Sequence, residues 1–292
     1  MNYLTTQQWK NGVQEITKNF MKLKYLLLIC LVSICTSLLA QDEDKASIED
    51  EEAALAKATQ NPLAAMYSLP FQNNTTFGVG SDSKTQNVLN IQPVIPIGLG
   101  EKVNLINRVI IPVITQPYGS DGVNSSTGVG DISYTAWLAP TKASKITWGV
   151  GPVLQIPTAS DSDEFGSREF GIGPSIVALT TIDKWVAGVV INNVWTFGDA
   201  QENKFLFQYF VNYNLPNAWY IVSAPILTSN WTADSGEQWI VPFGGGGGKV
   251  FKLGKQPINV NAQTYYNAVR PDGWGDWQFR FQVQLLFPKK PK

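Results

Sequence analysis

The residue types that carry most enzymatic chemistry are scarce in this sequence, and their scarcity narrows its function before any fold is considered. There is no histidine in 292 residues, which removes the commonest general base and the commonest metal ligand. Cys30 and Cys35 both fall in an apolar N-terminal run, so a processed chain would carry no thiol for a disulfide, a nucleophile or a metal site. The stretch Gly244 to Gly248 followed by Lys249 invites comparison with a phosphate-binding loop. Phe243 stands where the first glycine is needed, Val250 replaces the Ser or Thr after the lysine, and no helical pattern follows. It is read instead as a strand with little side-chain bulk. What remains is a set of isolated charges within otherwise polar or apolar segments: Arg108, Asp131, Glu169, Lys204, Lys249 and Arg280. Enclosed together, such groups either pair as a structural network or set an ion preference through their field. No cofactor and no metal is expected.

The elements that hold these charges read as strands. Gly 25, Trp 10, Tyr 10 and Phe 14 accompany only 15% charged residues, a composition of turns and amphipathic strands, not of charged surface helices. From Leu69 onward the apolar signal has period 2, in segments of the length a tilted membrane strand needs. In the last segment Trp277, Phe279, Phe281, Val283, Leu285 and Phe287 share one face and Gln278, Arg280, Gln282 and Gln284 the other. Residues 204–215 alternate likewise, with Gln208 and Asn212 on the polar side. So do residues 258–267, with Asn259, Asn261 and Gln263 there. A polar face built of carboxamides and not of charges suits an enclosed interior, with the aromatic face turned to lipid. The candidate interior lining is therefore Arg108, Asp131, Gln208, Asn212, Asn259, Asn261, Gln263, Gln278, Arg280, Gln282 and Gln284.

Twelve such segments are predicted, near 70–80, 86–98, 102–115, 128–140, 145–157, 168–180, 184–197, 203–215, 218–230, 237–250, 256–268 and 275–287. Short connections alternate with a set that includes the long polar stretches 116–127 and 158–167. That asymmetry and an even strand number fit a closed antiparallel transmembrane β-barrel with both termini on the periplasmic side. Trp137, Trp148, Trp185 and Trp219 are expected near the short-turn ends and Trp195, Trp231, Trp239, Trp274 and Trp277 near the long-loop ends, as aromatic belts at the two headgroup levels. One feature resists the reading. Pro93, Pro112, Pro152, Pro174, Pro225 and Pro242 fall inside predicted strands, where each removes a ladder donor; bulges are the expected remedy. The repeated Gly-x-Gly-Pro of Gly149, Gly151, Gly171 and Gly173 points four glycines inward. They either form a smooth wall for an N-terminal plug or simply permit curvature.

Met21 to Lys24 gives a basic start, residues 25–39 an apolar run, and Ala40 a small residue before an acidic stretch. This reads as an upstream extension and cleaved signal peptide over 1–40, with Met1 or Met21 as the start. Residues 41–69 are acidic and then alanine-rich, favouring a short helix that is a periplasmic tail or a plug; residues 70–292 form the barrel. A formal net charge of −1 with scattered basic residues gives no footprint for nucleic acid. The expected location is the bacterial outer membrane. The expected partners are its lipid, the barrel-assembly machinery and a small-molecule solute.

The stretches 92–96 (QPVIP), 128–131 (GVGD), 149–152 (GVGP), 192–195 (NNVW), 210–216 (FVNYNLP) and 269–273 (VRPDG) resemble the bacterial outer-membrane family named for the meta pathway of phenol degradation, members of which are often labelled "transporter" or "neuromedin U". The resemblance implies a barrel that passes small, hydrophobic or aromatic compounds, and it carries over no functional residues. A channel or transporter is thus the leading expectation and the chain is not expected to be an enzyme. A structural or surface-display barrel and a histidine-independent outer-membrane hydrolase are the alternatives.

Overall fold

In the computed structural model, residues 44–118, 124–142 and 144–288 are described, with side chains from Asp50 onward. The segment expected as a signal peptide, and the tip of the 116–127 connection, lie outside them. The chain divides into residues 1–48, of which only the opening of a helix is described, and 49–292, which holds everything else below.

Helix α1 (Asp44–Thr59) is followed by β1 (Tyr67–Val79), β2 (Lys84–Ile91), β3 (Val94–Leu99), β4 (Val103–Gln116), β5 (Ser126–Val129), β6 (Ile132–Pro140), β7 (Thr147–Ile156), β8 (Phe170–Ile182), β9 (Trp185–Phe197), β10 (Asn203–Asn214), β11 (Trp219–Ser223), β12 (Ile226–Asn230), β13 (Trp239–Leu253), β14 (Gln256–Val269) and β15 (Trp277–Phe287). β2 and β3, β5 and β6, and β11 and β12 are three long strands, each interrupted once. Twelve antiparallel strands result, each paired with its neighbour in sequence. The ring closes where β1 meets β15, from Tyr67↔Phe287 to Phe77↔Trp277. Strand β1 begins at Tyr67, three residues before the expected barrel boundary.

Alternation decides which side chains enter the ring. On β15, Trp277, Phe279, Phe281 and Phe287 are exposed on the outside, whereas Arg280 and Gln284 are buried inside. The outer surface is a belt of Ile, Leu, Val and Phe rimmed by Trp148, Trp185 and Trp219 at one end and Trp195, Trp231 and Trp277 at the other. An exposed apolar surface that encircles a whole molecule is stable against hydrocarbon and not against water. Trp137 departs from the expected belt. It is inward, fully buried, and donates from Nε1 to Ser175 Oγ at 3.0 Å.

The strand prolines are absorbed by local failures of the ladder. Pro93 and Pro225 sit in the gaps between β2 and β3 and between β11 and β12, and Pro242 sits at a register shift against β14. Pro152 and Pro174 face each other across β7 and β8, and the pairing that each interrupts is on its other side, with β6 for Pro152 and with β9 for Pro174. Next to each of them is a glycine against the strand on the other side. A Cβ at Gly151 would collide with the Ala136 carbonyl oxygen of β6, and one at Gly173 with the Asn193 carbonyl oxygen of β9. These glycines let backbones touch where pairing is broken. Gly173→Val is therefore expected to destabilise the barrel by about 1–3 kcal/mol, read as a lower urea midpoint for the form that resists detergent until heated. Ile172→Val on the outer face should leave that midpoint unchanged.

Candidate functional site

The interior has three zones, set by what each strand presents inward. At the short-turn end it is apolar: Ile106, Trp137, Ala139, Val177, Leu179, Val186 and Phe210 form one cluster with Leu63 from the segment between α1 and β1. Alanine and leucine sustain α1 up to Thr59, and Pro62 forbids its continuation. The Asn61 side chain accepts from the Leu63 amide at 2.8 Å, turning the chain. Leu55 and Ala56 of the helix pack with Met66 against Ala218, Val250 and Leu286 of the barrel. Gln60 and Asn214 exchange hydrogen bonds of 2.9 and 3.1 Å, and Lys252 Nζ reaches Glu51 at 2.6 Å. The N-terminal segment thus packs against the inside of the barrel at the short-turn end.

Of the four inward glycines, Gly149 alone has this segment as its nearest neighbour. A Cβ there would lie 2.9 Å from Leu63 Cδ2. Gly151 and Gly173 meet adjacent backbones as described, and Gly171 meets Val194 and Thr196 of β9. For those three the reason for glycine is strand approach rather than a wall for the plug.

The middle zone is a cavity of about 200 Å³ whose floor is Thr59, Gln60 and Pro62. Arg108, Gln208, Asn212, Asn259, Asn261, Gln263, Arg280, Gln282 and Gln284 all line it. The carboxamides are tied side by side. Tyr220 donates to Asn259 Oδ1 at 2.7 Å, Asn259 Nδ2 to Gln284 Oε1 at 3.1 Å, and Gln263 Nε2 to Asn261 Oδ1 at 2.8 Å, while the Tyr265 hydroxyl donates to Gln263. Buried amides are stable only when bonded this way. The break at Ala224–Pro225 engages three of the interior side chains. The freed Ala224 amide donates to the Tyr265 hydroxyl at 3.2 Å, and its carbonyl accepts from Arg280 Nη1 at 2.8 Å and Gln208 Nε2 at 3.3 Å.

The third zone, at the long-loop end, holds a cavity of about 400 Å³ bordered by Asp131, Gln155, Asn192, Lys204, Ser229 and Trp274. Asp131 therefore lies apart from the other lining residues. Its carboxylate accepts from the backbone amides of Thr158, Ala159 and Arg168 at 3.0–3.1 Å and so anchors the 157–169 connection. Lys204 pairs with Glu202 at 2.5 Å. Gln278 lines neither cavity. Lys249 faces the opposite way from the sequence expectation. It is paired with Trp219 on the outer face, its ammonium 5.2 Å from the ring centre, where a long cationic side chain reaches the headgroups.

No protein-family description and no curated protein matches this chain. Among solved structures, an outer membrane channel from Pseudomonas putida F1 is 16% identical with a TM-score of 0.57, over 76% of this chain and 94% of that one. The chain has the fold of that channel. Lesser likenesses reach the CymD monoaromatic hydrocarbon channel (9% identity, TM-score 0.44, 80% of this chain and 92% of that one) and outer membrane phospholipase A from Escherichia coli (13%, 0.42, 80% and 98%).

Three interior aromatics were not expected there: Trp137, assigned to the headgroup belt, and Tyr220 and Tyr265. Each adjoins an outward apolar residue, so residue type alone does not tell an aromatic turned in from one turned out. Their inward phase could have been read from the polar partners two positions away, such as Thr135 before Trp137 and Gln263 and Asn267 around Tyr265.

At the long-loop rim, Glu169 accepts from Thr196 Oγ1 at 2.6 Å and from the Ala200 amide at 2.6 Å. Those bonds, the Thr196 hydroxyl first, hold its carboxyl below the ordinary value of 4.5. A depressed folded value gives stability that is present above the ordinary value and lost as pH falls through the folded one. Acidification below 4.5 should therefore release the 198–202 turn, seen as loss of exchange protection at the Ala200 amide. In Glu169→Gln the protection of that amide should no longer change with pH in this range.

Proposed function

We propose that this protein is an outer-membrane channel for small compounds, held closed by its N-terminal segment. The observation that carries the reading is the relation of the middle cavity to its floor. The barrel wall supplies a carboxamide-lined space, and what stops it at the short-turn end is the non-barrel stretch Thr59, Gln60 and Pro62 with Leu63 beneath. A barrel needing only internal rigidity would fill its centre with apolar side chains, as this one does at its short-turn end. Inward polar groups are costly unless hydrogen-bonded, and these carboxamides combine bonds to one another with an open space in which water or a solute can meet the rest.

The apolar belt between tryptophan rims supports a membrane location. The basic and apolar N-terminal run supports export by a cleaved signal peptide to the outer membrane, where barrel-assembly machinery would insert the strands. The motif resemblance to the meta-pathway family supports small hydrophobic or aromatic compounds as cargo. With no histidine in the chain, the reading is non-enzymatic.

Removal of residues 41–66 should open the barrel. In liposomes of matched protein content, the deleted form is expected to admit small neutral solutes several times faster than the full chain. Both forms should show heat-dependent gel mobility, which checks that each has folded. Equal and negligible permeation by two folded forms would refute the channel.

A further inference from the structure

The middle cavity contains two guanidinium groups and no carboxylate. Arg280 is 3% exposed, with Nε donating to Asn74 Oδ1 at 3.0 Å, Nη1 to the Ala224 carbonyl, and its plane over the Tyr265 ring at 5.0 Å. Arg108 lies over the Trp137 ring at 4.9 Å, and its Nε is buried without a hydrogen-bond partner. Ion pairs such as Lys204–Glu202, Lys252–Glu51 and Arg270–Asp276 lie at the rims. Two acidic groups toward the loop end are committed as well. Asp131 is taken by three backbone amides and Glu169 by Thr196 and Ala200. Among the described residues, the centre of the lumen thus concentrates positive charge with no carboxylate set against it.

Buried cations without counter-charges are expensive, and the usual remedy is a partner within the fold. Here one carbonyl, one carboxamide and an aromatic face hold Arg280, and an aromatic face holds Arg108, leaving their charge for something that enters. A guanidinium is the side chain best suited to carboxylate through charge-assisted, forked hydrogen bonds. The same cavity also has an apolar part, Val190, Phe210 and Val222. Carboxamides between these two parts can bond a polar solute without adding charge.

Resting on the channel reading, we propose that the lumen is a binding and selectivity site for small organic monocarboxylates with an apolar or aromatic body, the anionic end held by Arg108 and Arg280. The site selects against cations of the same shape by repulsion and against neutral analogues by the unmet charge.

The test uses the full chain folded in detergent, with benzoate, benzyl alcohol and benzylammonium as isosteric probes and chloride as an inorganic anion, measured by calorimetry. Benzoate is expected to bind most tightly, benzyl alcohol about tenfold or more weakly, and benzylammonium not at all. Chloride is expected to compete only weakly. Arg108→Gln and Arg280→Gln should each weaken benzoate about tenfold or more and leave benzyl alcohol unchanged, while Arg108→Lys should retain most of the preference. Heat-dependent gel mobility identifies any variant that fails to fold, and the wild-type probe series stands without the variants. Equal binding of benzoate and benzyl alcohol, chloride as strong as benzoate, or no saturable benzoate binding into the millimolar range would each overturn the proposal. The channel reading fails separately, by absence of permeation for any solute in liposomes even if benzoate binds.

Discussion

In hydrocarbon a backbone amide has no water to fall back on, so every strand edge must find another strand. This constraint is met by the β1–β15 ladder, which joins the two ends of the barrel and leaves no edge. Once the ring is closed, alternation becomes a partition between lipid and interior. The aromatic sides of β10, β14 and β15 can only face out, and their carboxamide sides can only face in. Closure also confines what the rest of the chain can do. A segment that precedes β1 can occupy the interior only through an open end, as residues 59–66 do at the short-turn rim.

The same constraint explains why the ladder's few failures matter. Wherever proline or a strand break frees a backbone group, an interior side chain or a close backbone has to satisfy it. At Ala224 that task falls to Tyr265, Arg280 and Gln208, so the irregularity in the wall is also what orients a guanidinium in the cavity. At Gly130–Asp131 the Asp131 side chain collects loop amides instead, and the break becomes a clamp on the 157–169 connection. Structure and candidate function share residues here. Ile132, just past that break, also donates its amide to the Thr158 hydroxyl at 2.9 Å, so wall and loop are joined twice at one point.

Much of this was legible from residue order. Period-2 alternation is a direct consequence of strand geometry, and the ends of β9, β10, β14 and β15 fall within two residues of the expected positions. Interior lining followed from the same alternation, which is why nine of the eleven candidates meet at one cavity. The rest depended on information that alternation does not carry. The gaps at Pro93 and Pro225 were signalled only as missing donors, because the remedy lies on neighbouring strands far away in sequence. Trp137 and Lys249 had the residue types of a headgroup belt and a lumen respectively, and each sits on the other side. The four glycines looked equivalent along the chain and differ only in what stands across from them.

The central claim is that one side of each strand is bathed in hydrocarbon and the other is enclosed. It is tested most directly by spin labels placed singly along β15, at Phe279, Phe281 and Val283 and at Gln278, Gln282 and Gln284, in a protein with Cys30 and Cys35 replaced and reconstituted in lipid. The account predicts a strict two-residue rhythm of collision with a lipid-soluble relaxant such as oxygen, high at the first three positions and low at the second three. A flat profile, or one in which the glutamine positions are the more accessible to oxygen, would contradict it.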